Sequence, residues 1–403
     1  MIYLKLNQNI IDMKKFTALV ISTLICVSFS FAQQFAWTQK ASLPGFSRHS
    51  GIGFAIGQYG YLATGYDNGS CYNDMWRYDQ QNNSWTQVAS MPGNARYGAS
   101  AFTINNRAYA GIGLNSSNQS LSDFYEYDPS VNSWISKAVY IGPPVYTAVS
   151  FSVNNLGYLA TGYPLSKRVY QYNATNDTWQ QKADFPGTER QSAASFVIND
   201  TAYLTTGYLT NSPTTELWRY NQQTDSWTQL QWLPNNARYG AVGFNVNGYG
   251  IIATGGNGNY YFTDCYAYYP PINQWVSLPA FTGAIRRHAS SFSINQKGYL
   301  TCGITATGNT VNDLWELSEV TAMPEAAVVQ PKVYFNKSNK TLTVTGLPNK
   351  RLTLKIFSLS GQLVFNQVFQ SDNLQIPLQL NSGIYSYSIE GVGKILSGKF
   401  ELL

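Results

Sequence analysis

The sequence predicts an all-β chain, a six-bladed β-propeller followed by a small immunoglobulin-like β-sandwich. Three observations predict it. A tryptophan recurs six times at a spacing close to 48 residues, each interval carries four short strand patterns, and the period stops after Glu319 in favour of strict apolar alternation. Composition agrees. Of the 403 residues 15% are aromatic and only 12% charged, which excludes both a disordered chain and a coiled coil.

The first element is a leader. Lys14 and Lys15 precede an uncharged run from Phe16 to Ala32 that ends in Ser30-Phe31-Ala32. That is the basic, apolar and small-residue order of a secretory signal over 1–32, and the run is too short and too rich in Ser and Thr for a membrane span. The mature chain is expected to hold no transmembrane span. Export permits disulfides, but beyond Cys26 only Cys71, Cys265 and Cys302 remain, so at most one bridge can form.

The repeats occupy 33–320. Trp37, Trp85, Trp134, Trp179, Trp227 and Trp275 define the period. Phe54, Phe102, Phe151, Phe196, Phe244 and Phe292 keep step, and eleven residues after each stands Gly65, Gly113, Gly162, Gly207, Gly255 or Gly303. In repeat 1 the four strands are SGIGFAIG, YGYLATGY, NDMWRYD and SWTQVAS, with Asn/Gly-type turns between the first and second strands of the repeats. The repeat region opens on a fourth strand, FAWTQKAS, and finishes on a third, NDLWELSE. The amino-terminal strand can therefore complete the last blade and close the ring, leaving no open edge.

These residues resemble the Kelch-repeat family over about 35–320. The Pro-x-x-x-Arg segment, the Tyr and Gly of strand 2, the aromatic of strand 3 and the Trp of strand 4 carry the resemblance. The family's glycine pair is mostly Thr-Gly here, and Gly255-Gly256 is a true pair displaced by one place. The repeated Phe, Trp and Tyr are expected to pack between blades, each worth a few kcal/mol when buried.

Arg48, Arg96, Arg190, Arg238 and Arg286 each stand six residues before the repeated Phe, and repeat 3 has Val145 there. Two readings follow. A ring of arginines facing the channel would suit carboxylates or acidic sugars. Alternatively each arginine pairs with an acid eleven residues before the Trp position: Asp74, Asp123, Glu216, Asp264 and Asp313. Repeat 3, which lacks the arginine, has Arg168 in place of the acid, and this favours the structural pair. Val145, Tyr146, Lys167 and Arg168 then open a different, unpaired basic surface.

The loops between strands 2 and 3 vary most and share a face with the arginine segments. Variable loops on a rigid scaffold carry binding, so we expect an unknown protein or glycan ligand there. The candidate contacts are Tyr97, Tyr146, Arg168, Tyr239, Tyr260, Tyr261 and Phe262.

Catalysis is not expected. No sialidase-type Asp box, GxSxG or HExxH pattern occurs. The only histidines beside the chain's tyrosines are His49 and His288, read as surface polar residues, so no metal and no cofactor is expected. Glu189 beside Arg190 is the one hint of the alternative, a carbohydrate-active propeller of sugar-epimerase or oxidase type. The body between residues 33 and 330 has fifteen basic and seventeen acidic side chains, so it offers no basic footprint for nucleic acid.

After a linker at 321–331 with two prolines, 332–403 reads as alternating strands. This tail is similar to the type A C-terminal sorting domain of the type IX secretion system in Bacteroidota. Gly361 after IFSLS, then Gly383, Tyr385, Gly393, Lys394 and Lys399 in the closing segment carry the similarity. It implies the secretion machinery as a partner, delivery to the outer surface or medium, and trimming in the linker.

Overall fold

A computed structural model describes residues 35–320, 332–336, 339–345, 351–370, 373–391 and 393–402. The leader and the linker lie outside the described residues. The chain divides into two units, Met1–Val320 and Thr321–Leu403. Apart from one 3-10 turn at Pro270–Ile272, every regular element among the described residues is a β-strand.

The first unit contains six four-stranded antiparallel sheets. Ile52–Ile56, Tyr59–Ala63, Met75–Asp79 and Ser84–Val88 form the first, in sequence order. The next four repeats build equivalent sheets. The sixth takes Ser290–Ile294, Lys297–Thr301 and Leu314–Glu319 from its own repeat and Phe35–Lys40 from the amino-terminal end. Register runs from Phe35 opposite Glu319 to Lys40 opposite Leu314. The first strands of the sheets touch one another in cyclic order, with the sixth against the first.

Each sheet packs through its repeated Phe. Phe54, Phe151, Phe196 and Phe292 stack on the strand-2 tyrosine of their own sheet at 5.1–5.2 Å. Phe102, Phe196, Phe244 and Phe292 also lie on the backbone of the next sheet, at Gly157, Gly250, Gly298 and Gly60. A Cβ at Gly157 would stand 2.0 Å from the Phe102 ring, so the small residue sets the distance between blades.

A polar staple repeats as well. Asn83, Asn132, Asp177, Asp225 and Asn273 sit two residues before the strand-4 Trp, with φ between 46° and 53°. Their side chains accept a hydrogen bond from the strand-3 tyrosine, as Tyr127 Oη donates to Asn132 at 2.9 Å. The same oxygen of Asn132 accepts the N–H of Ala89 from the preceding blade at 2.9 Å. At the closing blade Phe35 and Leu317 stand where the staple residues would be. Strands 3 and 4 are not joined by a turn there, so no left-handed Asn is needed. Phe35 instead buries itself edge-on against Tyr249 at 6.1 Å.

The second unit consists of two sheets. Lys332–Asn336, Thr341–Thr345 and Asn373–Pro377 form one. Leu363–Gln370, Arg351–Ser358, Gly383–Gly391 and Gly393–Leu402 form the other, in that spatial order. Leu342, Val344, Leu354, Ile356 and Ile389 are fully buried in its core. Gly361 turns with φ 84°, Tyr385 donates to the Asn381 carbonyl at 2.8 Å and stacks on Phe400, and Lys399 is exposed. Gly383, Gly393 and Lys394 lie in the last two strands.

Candidate functional site at the channel mouth

The five arginines of the repeat are 0% exposed and belong to the scaffold. Arg48 spends its donors on fixed acceptors. Nε donates to the Phe46 carbonyl at 3.0 Å and Nη1 to the Thr64 carbonyl at 3.0 Å. The Nη1/Nη2 edge grips Asp74 at 2.5 and 2.9 Å. Arg96 holds Asp123, Arg238 holds Asp264 and Arg286 holds Asp313 in the same way, and Arg190 holds Glu216 through Nη2 alone. Burial raises the Asp74 pKa, but the Arg48 bonds and charge and the Trp76 indole outweigh it and leave the carboxyl below its ordinary range. The carbonyl gripped by Nη1 belongs to the residue before each repeat glycine. Thr64, Thr206 and Thr254 hold left-handed backbone there, with φ 62–63°, and the clamp secures that conformation.

Blade 3 solves the position differently. Val145 is buried in the arginine's place, and Tyr140 packs edge-on against Tyr170 at 5.1 Å. Arg168 is exposed but not unpaired, since Asp184 lies 3.9 Å from it. It lines a proline-walled pocket with Pro143, Pro144, Pro164 and Glu189, away from the channel. The sequence expectation of an unpaired basic surface therefore needs correction at Arg168, and Glu189 is a solvent-exposed pocket wall there.

The residue after each arginine position is different in kind. His49, Tyr97, Tyr146, Gln191, Tyr239 and Arg287 pair across a short ladder with the residue after the repeat glycine. One place further on, Ser50, Gly98, Thr147, Ser192, Gly240 and His288 all have φ between 50° and 61°. This turns each N–H along the ring. Gly98 donates to Ser50, Thr147 to Gly98, Ser192 to Thr147, Gly240 to Ser192, His288 to Gly240 and Ser50 to His288, at 2.7–3.2 Å. Six backbone hydrogen bonds thus form a closed hoop through all six blades. Immediately inside it begins a channel of about 470 Å³ lined by small and hydroxyl residues such as Gly51, Ser100, Ser150, Ser195 and Ser290.

Around the hoop stands an arc of aromatic rings. Tyr163, Tyr146, Tyr97, Tyr66, His49, His288, Tyr239 and Tyr208 contact one another in that order, with centroids 5.0–6.2 Å apart. Arg287 sits among them, its guanidinium carbon 5.0 Å from the Tyr239 ring and 5.3 Å from Tyr261. Nη1 donates to Tyr239 Oη, while the buried Nε has no acceptor. Burial lowers the Arg287 pKa, and no carboxylate counters it. Burial, then the Arg287 charge, push His49 down to about 4; Asp67 opposes them. Burial, Arg287 and His49 push His288 down to about 3. Both imidazoles are therefore neutral near pH 7. They are half-buried members of the mouth rather than solvated surface histidines.

Of the sequence candidates, the mouth brings together Tyr97, Tyr146, Tyr239 and Tyr261. Phe262 is half-buried and covers the Arg238 guanidinium at 4.8 Å, which makes it part of a clamp. Tyr260 is 69% exposed at the loop tip. Sequence reasoning missed Tyr66, Tyr163, Tyr208 and above all Arg287. Among the described residues no three His, Cys, Asp or Glu side chains are grouped to hold a metal ion, and Cys71, Cys265 and Cys302 are all free thiols. No helix among the described residues is long and apolar enough to cross a membrane.

Comparison with known proteins agrees with this architecture. Residues 61–92 match the Kelch motif, and residues 332–400 match the secretion system C-terminal sorting domain. No curated protein matches the chain. Among 413 matching chains of solved structures is the structure of YjhT, with a TM-score of 0.60 and 18% identity, covering 70% of this chain and 98% of that one. The first unit is a Kelch-type β-propeller, and the chain carries a type IX sorting domain at its end.

Proposed function

We propose that this is an exported, non-catalytic binding propeller whose ligand, a glycan or a protein, docks on the loop-rich face at the channel mouth. One observation carries the reading. The mouth concentrates solvent-reachable aromatic rings and a cation without a carboxylate partner, whereas the five other buried arginines of the repeat are consumed by acids. Clustered aromatic faces beside a cation without a carboxylate partner suit a binding role.

A glycan and surface-protein binding screen with the full mature chain tests it. Tyr97→Ala combined with Tyr146→Ala is expected to weaken the ligand found by at least tenfold. An unchanged affinity would remove the mouth from consideration. The alternative of a carbohydrate-active propeller is favoured by one feature, the neutral His49–His288 pair beside Arg287. Chromatography of the glycans after incubation separates the two, because a binder returns them unaltered.

For delivery, we propose a signal peptide over 1–32 for Sec export, the propeller over 33–320, a linker at 321–331 and a sorting domain over 332–403 read by the type IX machinery. The destination is the outer surface or the medium. The sorting match at 332–400 supports it. Deleting residues 332–403 is expected to retain a folded propeller in the periplasm of the native host. Normal surface levels of the truncated chain would overturn the sorting role.

A further inference from the structure

Resting on the mouth as the binding site, we infer that its ligand is an acidic glycan whose uronate carboxylate is taken by the Arg287 guanidinium. The guanidinium carbon lies near both the Tyr239 and the Tyr261 rings. Nη1 is engaged by Tyr239, and Nε is buried without an acceptor. Nε is sealed from solvent, so an arriving carboxylate meets the guanidinium at Nη2, in one charge-assisted bond. Asp67, the acid whose charge acts on His49, accepts a hydrogen bond from Thr310 at 2.8 Å and does not pair with Arg287.

The surroundings favour a sugar ring as the body of that ligand. Tyr97, Tyr146, Tyr163 and Tyr208 offer ring faces, and the neutral imidazoles of His49 and His288 add polar ring atoms for hydroxyl groups, although His49 Nδ1 is already bonded to Ser50 Oγ at 2.9 Å. A peptide would need main-chain partners to be held in extended form. The N–H groups of the hoop are committed to one another. Recognition here therefore runs through side chains, which suits a compact ligand rich in hydroxyls.

Calorimetric titration of the full mature chain tests the inference with three probes: tri-galacturonate, its carboxyl-reduced counterpart and an Asp/Glu-rich peptide. Wild type is expected to bind tri-galacturonate at least tenfold tighter than the reduced probe. Arg287→Gln should abolish that preference and Arg287→Lys should keep part of it, because lysine keeps the charge without the planar group that lies against the tyrosines. Tryptophan fluorescence melts check that both variants are folded. Equal binding of the charged and reduced sugars, still weakened by Tyr97→Ala and Tyr146→Ala, would overturn the carboxylate while leaving the mouth in place. Arg287-dependent binding of the peptide alone would overturn the glycan. Binding of no anionic probe, or binding indifferent to Arg287→Gln, would overturn the inference.

Discussion

Replacing Arg238 with methionine isolates what one clamp contributes. The variant keeps most of the aliphatic volume under Phe262 but removes the two bonds to Asp264 at 2.6 and 2.7 Å. It also frees the carbonyls of Thr254 and Asn236. Removing one partner of a buried pair costs about 3–5 kcal/mol, because the other charge stays behind without compensation. Asp264 is 27% exposed, so water recovers part of its solvation and the lower end of that range applies. The double variant Arg238→Met/Asp264→Leu leaves no orphaned charge and should be less destabilised than the sum of the singles by about 1–3 kcal/mol. Blade 3, which folds with Val145 in the arginine's place, shows that an apolar solution is geometrically admissible. All ten tryptophans lie between residues 37 and 315. Urea unfolding followed by tryptophan emission therefore reports on the propeller and not on the terminal sandwich. A single variant that moved the transition by less than about 1 kcal/mol, or a double variant equal to the sum, would refute the clamp as a coupled, buried pair.

Two further outcomes follow from the same geometry. Asn132→Ala strips the acceptor shared by Tyr127 Oη and Ala89 N–H, and it should cost about 1–3 kcal/mol in the same unfolding assay; no measurable loss would show that water replaces the staple. His49 and His288, with folded pKa values of about 4 and 3 against 6.5 unfolded, take up protons more readily in the unfolded chain. Stability should thus fall as pH drops from 6.5 toward 4, by at most about 2 kcal/mol per histidine at pH 5. Asp74 and Asp123, whose arginines outweigh burial and hold the carboxyls below their ordinary range, titrate below this window. The His49→Gln/His288→Gln variant should flatten the slope between pH 7 and 5, and an unchanged slope would assign it to other groups.

The six-fold spacing made the propeller legible, because each repeat obeys the same packing rule at its Phe, its Trp and its small strand-2 residue. The staple was not read out, although its Asn or Asp stands two places before the Trp in five repeats. Asn and Asp are common in hairpin turns, and nothing in the spacing distinguishes a turn residue from one that also bonds the neighbouring blade. The tail's strands were legible from their alternation, since Leu342, Val344, Leu352, Leu354 and Ile356 all face one core. Phe262 was misplaced because a variable loop looks exposed in sequence, yet its ring covers a guanidinium that the spacing had already located.

Arg286 and Arg287 show why the site was harder to read than the scaffold. They are neighbours in one two-residue strand, so their side chains leave on opposite faces. The first turns into the blade and is gripped by Asp313, with 0% exposure. The second turns to the mouth, where it meets the Tyr239 and Tyr261 rings and the Tyr239 hydroxyl but no acid. Only the first has a counterpart in four other repeats, and periodicity is blind to a residue that occurs once. A propeller repeats whatever holds blades together, so recognition must come from what it does not repeat. By that logic Arg287, which occurs once, stands at the mouth and meets no acid, is the informative one. Gly240→Val, whose side chain would meet His288 at 3.0 Å in a backbone region that valine avoids, should both lower the urea midpoint and weaken ligand affinity, and an unchanged midpoint would refute the strain.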